Sequence, residues 1–331
     1  MPFAALIGTV TSGWLISKFN NRDLLLVSFL FFSFALLGIS LVKTSVLLII
    51  VLALFSICMR VLNIAMNAQS ITLQALYEKK IIGSFHGVWS LGGVLGVVFS
   101  TFMVRFNVTI QNHFLAIALI TILATIIAYK YSLTKDKSTT GNKLIIGKPD
   151  PFIFYLGLLI FFAAICEGGM FDWSGIYFKE VVKEEVFTYG YLLFMIFMAT
   201  SRFFLDKVLD KIGMPKLYII SGLLISTGTL TTILFPQFWT ALIGFCLVGI
   251  GVSSIFPMTY ILAGKSKKYS AGMAISIIGT YAIVGMFIGP PLIGYLSHAF
   301  GLKNAFFTLV VCGLMFIPIS QLFFKTQKNN L

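Results

Sequence analysis

The sequence predicts an all-α polytopic membrane protein with eleven transmembrane helices. Three observations carry this. Apolar residues make up 58% of the 331 residues and charged residues 11%, against about 25% charged in an ordinary soluble domain. The apolar residues gather in runs near the ~20-residue length that crosses a bilayer as a helix. These runs lack the strict alternation of barrel strands, which excludes a β-barrel. So much apolar surface with so few charges also excludes a secreted domain, a cytosolic enzyme and a disordered chain.

The runs lie near residues 3–18, 23–42, 45–68, 82–104, 108–131, 151–178, 187–205, 216–235, 237–262, 270–297 and 304–324. The first gives way to Lys18 and the polar stretch Asn20-Asn21-Arg22, the second to Lys43-Thr44-Ser45. Glu78-Lys79-Lys80 separates the third from the fourth, and Arg105 closes the fourth. The fifth runs into 132–150, which holds Lys135, Asp136, Lys137, Lys143, Lys148 and Asp150 among Ser, Thr, Gly and Pro. That stretch is the only linker-like segment and nearly bisects the chain. The sixth run opens on Pro151, the seventh ends before Asp206-Lys207, Pro236 parts the eighth from the ninth, Lys265 to Lys268 precede the tenth and Gly301-Leu302-Lys303 the eleventh. Other connections are short, so sequential helices pack antiparallel. The organisation is thus 1–131, a bundle of five spans; 132–150, a basic cytoplasmic linker; and 151–331, a bundle of six. The start of the chain lacks a basic stretch of the kind that opens a cleavable signal. The four cysteines, Cys58, Cys166, Cys246 and Cys312, fall singly in separate runs and read as small core residues, with neither metal nor disulfide spacing.

Lys and Arg number 24 and Asp and Glu 11, a net charge of +13. If the loop at 18–22 is cytoplasmic and the sides alternate, 17 of the basic residues fall inside and 5 outside, with Arg60 and Arg202 within spans. This bias follows the positive-inside rule. It supports the span count, puts the C-terminus in the cytoplasm, and accounts for the basic balance without nucleic acid.

A repeat is visible. Gly13-Trp14-Leu15-Ile16-Ser17-Lys18-Phe19-Asn20-Asn21-Arg22 follows the first span, and Arg202 through Asp206, Lys207, Asp210, Lys211 and Gly213 follows the seventh. Both read as short, basic cytoplasmic turns at a helix exit. Four spans follow each before the linker or the C-terminus. Only the second half has a full span, 151–178, ahead of its loop-bearing helix.

These residues resemble the major facilitator superfamily, twelve-span transporters built of two six-helix halves. The Gly13-to-Arg22 segment resembles that family's signature loop but has Ser17 where an aspartate is usual and Asn20 where a glycine is usual. Asn63-Ile64-Ala65-Met66-Asn67-Ala68-Gln69, Ser84 through Gly93, Glu167-Gly168-Gly169-Met170-Phe171-Asp172-Trp173-Ser174, Phe256-Pro257 and Gly289-Pro290-Pro291-Leu292-Ile293-Gly294 are similar to the fucose-permease-like branch of bacterial permeases. The resemblance implies a proton-coupled secondary transporter of the bacterial inner membrane, a monomer with a cavity lined by spans one, four, seven and ten of the twelve. On that numbering the first run here is span two, so the chain looks like a twelve-helix carrier short of its first helix. A glycine-proline motif in span five marks drug antiporters in this family; here the motif is in the penultimate span, which lowers an efflux reading.

A charge in the hydrocarbon costs about 2.5–3.5 kcal/mol on insertion scales and needs a reason. Glu167 lies about 24 Å into its helix, flanked by Gly168 and Gly169, and is the leading proton-carrying candidate; a structural hydrogen bond is the plainer reading. Asp172 is about 140° round the same helix, near the outer interface. Trp173 and Tyr177 read as interfacial anchors, with sugar stacking a second role for Trp173. Arg60, Asn63, Asn67 and Gln74 form a polar stripe suited to a hydroxylated solute or to interhelical hydrogen bonds. His86 is a candidate for proton coupling or for packing. Gly13, Lys18, Arg22, Arg202, Asp206 and Gly213 are expected to form the cytoplasmic gate and signature loops, with Arg202 and Asp206 able to pair within their helix. Gly92, Gly93, Gly96 and Gly285-x-x-x-Gly289 are expected at close helix contacts, and Gly289-Pro290-Pro291 to kink or break its helix.

The expected function is transport of a small polar solute, a sugar among the candidates, by alternating access with protons. The competing readings are an efflux carrier for amphipathic compounds and a truncated fragment without transport. The sequence holds no catalytic constellation, phosphate loop or metal-ligand cluster, so neither an enzyme nor a cofactor is expected.

Overall fold

A computed structural model describes residues 2–79, 81–134, 150–185 and 188–328. Most of the linker expected at 132–150, including Lys135, Asp136, Lys137, Lys143 and Lys148, lies outside the described residues, as does Lys80. The described residues form helices α1 (Pro2–Lys18), α2 (Asn21–Leu41), α3 (Ser45–Gln74), α4 (Ile82–Arg105), α5 (Ile110–Tyr131), α6 (Pro151–Tyr177), α7 (Thr188–Ile212), α8 (Met214–Leu234), α9 (Phe238–Ser253), α10 (Ile255–Ala263), α11 (Ala271–Phe300), α12 (Leu302–Ala305) and α13 (Phe307–Lys328). Each of the eleven expected spans has its rod; two rods are broken at one residue, α9 from α10 at Ser254 and α12 from α13 at Phe306. Among the described residues, eight rods are long and apolar enough to cross a membrane by length and composition. α1, α4 and α7 are the other three.

Helix starts follow the local chemistry. Thr44 accepts from the Leu47 N–H, Thr109 from Asn112, and Asp150 from Ile153 just ahead of Pro151, satisfying amides that a first turn leaves open. Gly213 joins α7 to α8 alone, with φ +78° and ψ 157°, a conformation natural only to glycine. α7 continues seven residues past its expected end. The charged face from Arg202 to Lys211 is therefore helical, and the turn is Gly213 itself. Leu205 and Leu209, buried one helical turn apart, carry the apolar stripe through the charged stretch. Likewise Gly13 through Lys18 belong to α1, leaving a turn of only Phe19 and Asn20.

The chain divides into two compact units: Met1–Glu78, Trp89–Lys148 and Ala263–Thr280 in the first, and Lys79–Val88, Pro149–Leu262 and Tyr281–Leu331 in the second. The chain passes between them inside α4 and inside α11. In the first unit, α3 packs on α1 and α2, and α2 on α5. In the second, α9 packs on α7 and α8, and α8 on α13. This is the same arrangement element for element, the packing form of the repeat read from the sequence. The second unit adds α6, which packs on both α13 and α7 and so closes a ring of five rods. α6 is apolar on all sides, as a helix enclosed by neighbours must be, and fifteen of its residues are buried.

Small residues set the closest approaches. A methyl at Gly228 would meet the Gly244 carbonyl oxygen, one at Gly285 the Phe161 carbonyl oxygen, and one at Gly289 the Ile165 backbone. Gly285 and Gly289 thus seat α11 on α6, as their spacing predicts. Gly92, Gly93 and Gly96 do not serve the expected contact: among the described residues nothing lies within 4 Å of a methyl built at any of them. A small-residue pattern permits close packing but does not choose which side of a helix has a neighbour. Of the expected kink or break at Gly289-Pro290-Pro291, a break does not occur: helix α11 continues through Pro290 and Pro291. Its neighbour α6 holds the helix where the two missing N–H groups weaken it.

Candidate functional site

Among the described residues, polar and charged groups concentrate in the second unit where α6, α7, α10 and the start of α4 meet. Arg202 of α7 pairs with Glu167 of α6, Nη2 to Oε1 3.4 Å, with side chains 2% and 8% exposed. Counting along the sequence puts Glu167 about 24 Å from the start of α6, whereas Arg202 is expected in a gate near the exit of α7. The structure nevertheless brings the two together, because α7 continues to Ile212 and so sets Arg202 about 15 Å inside its helix. Arg202 Nε also donates to the Ser253 carbonyl at 3.4 Å. That carbonyl is free for a reason in the sequence. Pro257, four residues on, has no N–H to return to it, and the helix is interrupted at Ser254.

One turn along α7, Asp206 holds the beginning of α4. Its Oδ1 accepts the Gly83 N–H at 2.9 Å, and its Oδ2 accepts the Ser84 N–H at 3.1 Å and the Ser84 hydroxyl at 3.3 Å. The residue before α4 is Ile81, which has no capping side chain, so the cap comes from another helix. Gly83 and Gly87 allow the approach: a methyl at Gly83 would meet the Arg202 carbonyl oxygen and Leu205, and one at Gly87 the Phe203 ring. His86, half-buried between these contacts, stacks on Tyr260 of α10 at 5.9 Å and 22°.

The remaining candidates lie elsewhere. Trp173 donates its indole N–H to the Pro290 carbonyl at 3.0 Å, tying α6 to the proline segment of α11. Tyr177 is no interfacial anchor. It is fully buried, donates its hydroxyl to the Thr232 carbonyl at 2.9 Å and packs on Phe306 at 4.4 Å. Asp172 is exposed. In the first unit, the Asn67 amide donates to the Asn63 carbonyl at 2.7 Å and lies 3.4 Å from its side-chain oxygen. Asn63, Asn67 and Arg60 are half-buried on α3, with Arg60 one turn before Asn63. Around the first turn, Arg22 lies 3.8 Å over the Tyr129 ring, Tyr129 donates to Asp23 at 2.9 Å, and Lys18 lies over Trp14. Ser17, where the signature loop usually has an aspartate, bonds the Trp14 carbonyl of its own helix.

Sequence reasoning missed Tyr260 and the Ser253 carbonyl. The available signal was Pro257, which frees one carbonyl and lies three residues before Tyr260. Among the described residues no cluster of His, Cys, Asp and Glu is fit to hold a metal ion.

Comparison with known proteins decides the family. The family model described as the Major Facilitator Superfamily matches residues 1–223 and again 191–330. The chain belongs to the major facilitator superfamily. The two overlapping matches mirror the repeated packing of the two units. Similar relatives include the membrane protein MosC of Rhizobium meliloti, 26% identical over all of this chain and 81% of its own length. A transporter of Sinorhizobium fredii, y4wD, is 28% identical over 83% of this chain and 73% of its own length. Among solved structures, the superfamily transporter FucP in the outward conformation superposes with TM-score 0.80 at 14% identity, covering 97% of this chain and 87% of that one. A bacterial homologue of the iron transporter ferroportin gives 0.76 at 12%, covering 98% and 88%. Superfamily membership makes this an integral membrane protein built as a secondary transporter.

Proposed function

We propose that the protein moves a small polar solute, a sugar among the candidates, across a bacterial inner membrane by alternating access coupled to protons, and that Glu167 carries the proton. The observation that carries this reading is the buried Glu167–Arg202 pair. Each buried charge offsets the other's burial cost, and a proton on Glu167 would release Arg202 to new partners. A switch between paired and unpaired states is what a proton-driven cycle requires of a side chain in a span. Asp206, which clasps the start of α4 from α7, and Arg202 beside it serve as gate residues in this reading, with Lys18, Arg22 and Gly213 shaping the turns. The half-buried amides of Asn63 and Asn67 support a hydroxylated solute, since each retains hydrogen-bonding capacity beyond their mutual bond. The fucose:proton symporter of E. coli has a similar structure, with TM-score 0.76. At 14% identity this supports the fold, and the solute rests on the residues themselves.

The test is transport in proteoliposomes with an imposed proton gradient and a panel of labelled sugars. Wild-type protein accumulates its solute. Glu167→Gln abolishes accumulation but keeps counterflow exchange, which needs no net proton movement. Unchanged accumulation removes Glu167 from the mechanism; dye efflux with no sugar accumulation overturns the solute class.

A further inference from the structure

At the basic end of the second unit, where α8 begins and α13 ends, the surface holds a groove of about 300 Å³ lined by Pro215 and Ile219 of α8 and Ser320, Gln321, Phe324 and Lys325 of α13. Its two ends differ in chemistry. Ile219 and Phe324 make an apolar floor, and Phe324 is braced by the Tyr218 ring at 6.3 Å. Gln321 and Lys325 are exposed at the mouth, and Lys216 adjoins Pro215 in the chain. Lys325 is the one charged residue of the lining.

The surrounding surface identifies the environment. Beyond the groove α8 and α13 present Ile220, Leu223 and Leu322, 37%, 45% and 48% exposed. In a chain of this composition such a face lies against acyl chains. The groove therefore has lipid-facing surface on one side and the Lys325 ammonium on the other. Basic recesses between transmembrane helices select anionic headgroups, because the phosphate meets a cation while the glycerol and first methylenes meet apolar walls.

We propose that this groove is a binding site for an anionic phospholipid, its phosphate on Lys325 and Gln321 and its upper acyl chain along Ile219 and Phe324. Such a lipid bridges α8 and α13, which pack directly on one another through Gly222 and Gly313. The site is separate from the Glu167–Arg202 pair and does not depend on the solute carried.

The test uses the full chain purified in a neutral detergent and titrated with phosphatidylglycerol, phosphatidylcholine or inorganic phosphate, reading bound lipid by native mass spectrometry and the melting temperature in parallel. Phosphatidylglycerol is expected to bind and to raise the melting temperature, and Lys325→Gln to weaken that binding about fivefold. Lys43→Gln, an equal charge loss at the exposed turn between α2 and α3, is expected to leave binding unchanged. Equal binding of phosphatidylcholine, full retention of binding by Lys325→Gln, or the same stabilisation by inorganic phosphate alone would each overturn the assignment.

Discussion

The carboxylate of Asp206 on α7 accepts the backbone N–H of Gly83, 2.9 Å away at the first turn of α4. It is an N-cap supplied by a different helix, 123 residues distant in the chain. A second bond to the Ser84 N–H makes the clasp bidentate. Removing an N-cap costs about 0.5–2 kcal/mol, and here the loss also removes the hydrogen bonds between α7 and α4. Asp206→Ala is expected to lower the melting temperature of the purified protein, with Asp206→Asn intermediate, since an amide keeps one acceptor oxygen. If Asp206→Ala melts with wild type, the clasp contributes nothing to stability.

The Glu167–Arg202 pair makes a prediction about single and double variants. Breaking a buried pair by removing one partner costs about 3–5 kcal/mol, because the other charge is left uncompensated. Replacing both relieves that penalty. Arg202→Met should therefore be more destabilising alone than in combination with Glu167→Gln. A thermal-melt double-mutant cycle checks this, and additive losses would mean the two groups do not compensate each other.

Glycines of opposite standing can be compared directly. A methyl at Gly285 would collide with the Phe161 carbonyl oxygen, a backbone atom that cannot turn aside. Gly285→Ala is expected to cost about 1–3 kcal/mol through overpacking. A methyl at Gly92 meets no described atom within 4 Å. Gly92→Ala is expected to be neutral or stabilising, by up to about 1 kcal/mol of helix propensity. Melting temperatures of the two variants in one detergent decide the matter; equal losses would refute the packing of α11 on α6.

Trp173 separates anchoring from solute stacking. Its indole N–H is committed to the Pro290 carbonyl. Trp173→Phe keeps a flat aromatic ring and loses the bond, worth about 0.5–1.5 kcal/mol. The expected outcome is a small loss of stability with solute affinity intact. A large loss of affinity without loss of stability would instead place the indole on the solute.

Much of the architecture is legible in composition and periodicity. Eleven apolar runs correspond to eleven rods, because a bilayer demands length and apolarity of every span and the sequence states both directly. The repeat is also legible, since each half carries its basic helix exit before four spans. The spacing of Gly285 and Gly289 marks them correctly as contact residues. The exits themselves read as loops but are helical: hydropathy falls at Arg202, yet Leu205 and Leu209 keep the buried stripe and the helix continues to Ile212. Tyr177 is not legible, because an aromatic near a span end looks alike whether it meets headgroups or, as here, Thr232 and Phe306.

The sequence by itself determined the class, the helices, the repeat and the presence of Glu167 and Arg202 inside apolar stretches, because these depend on local composition and on the cost of charge in hydrocarbon. Only the tertiary structure decided which charges meet. Arg202 is placed to pair with Asp206 by sequence spacing, yet it reaches Glu167 on α6, while Asp206 turns to the amides of α4. The physical reason is that partners of buried polar groups are chosen by which helices pack together. That choice is made by close contacts such as Gly83 on α7, between residues far apart in the chain.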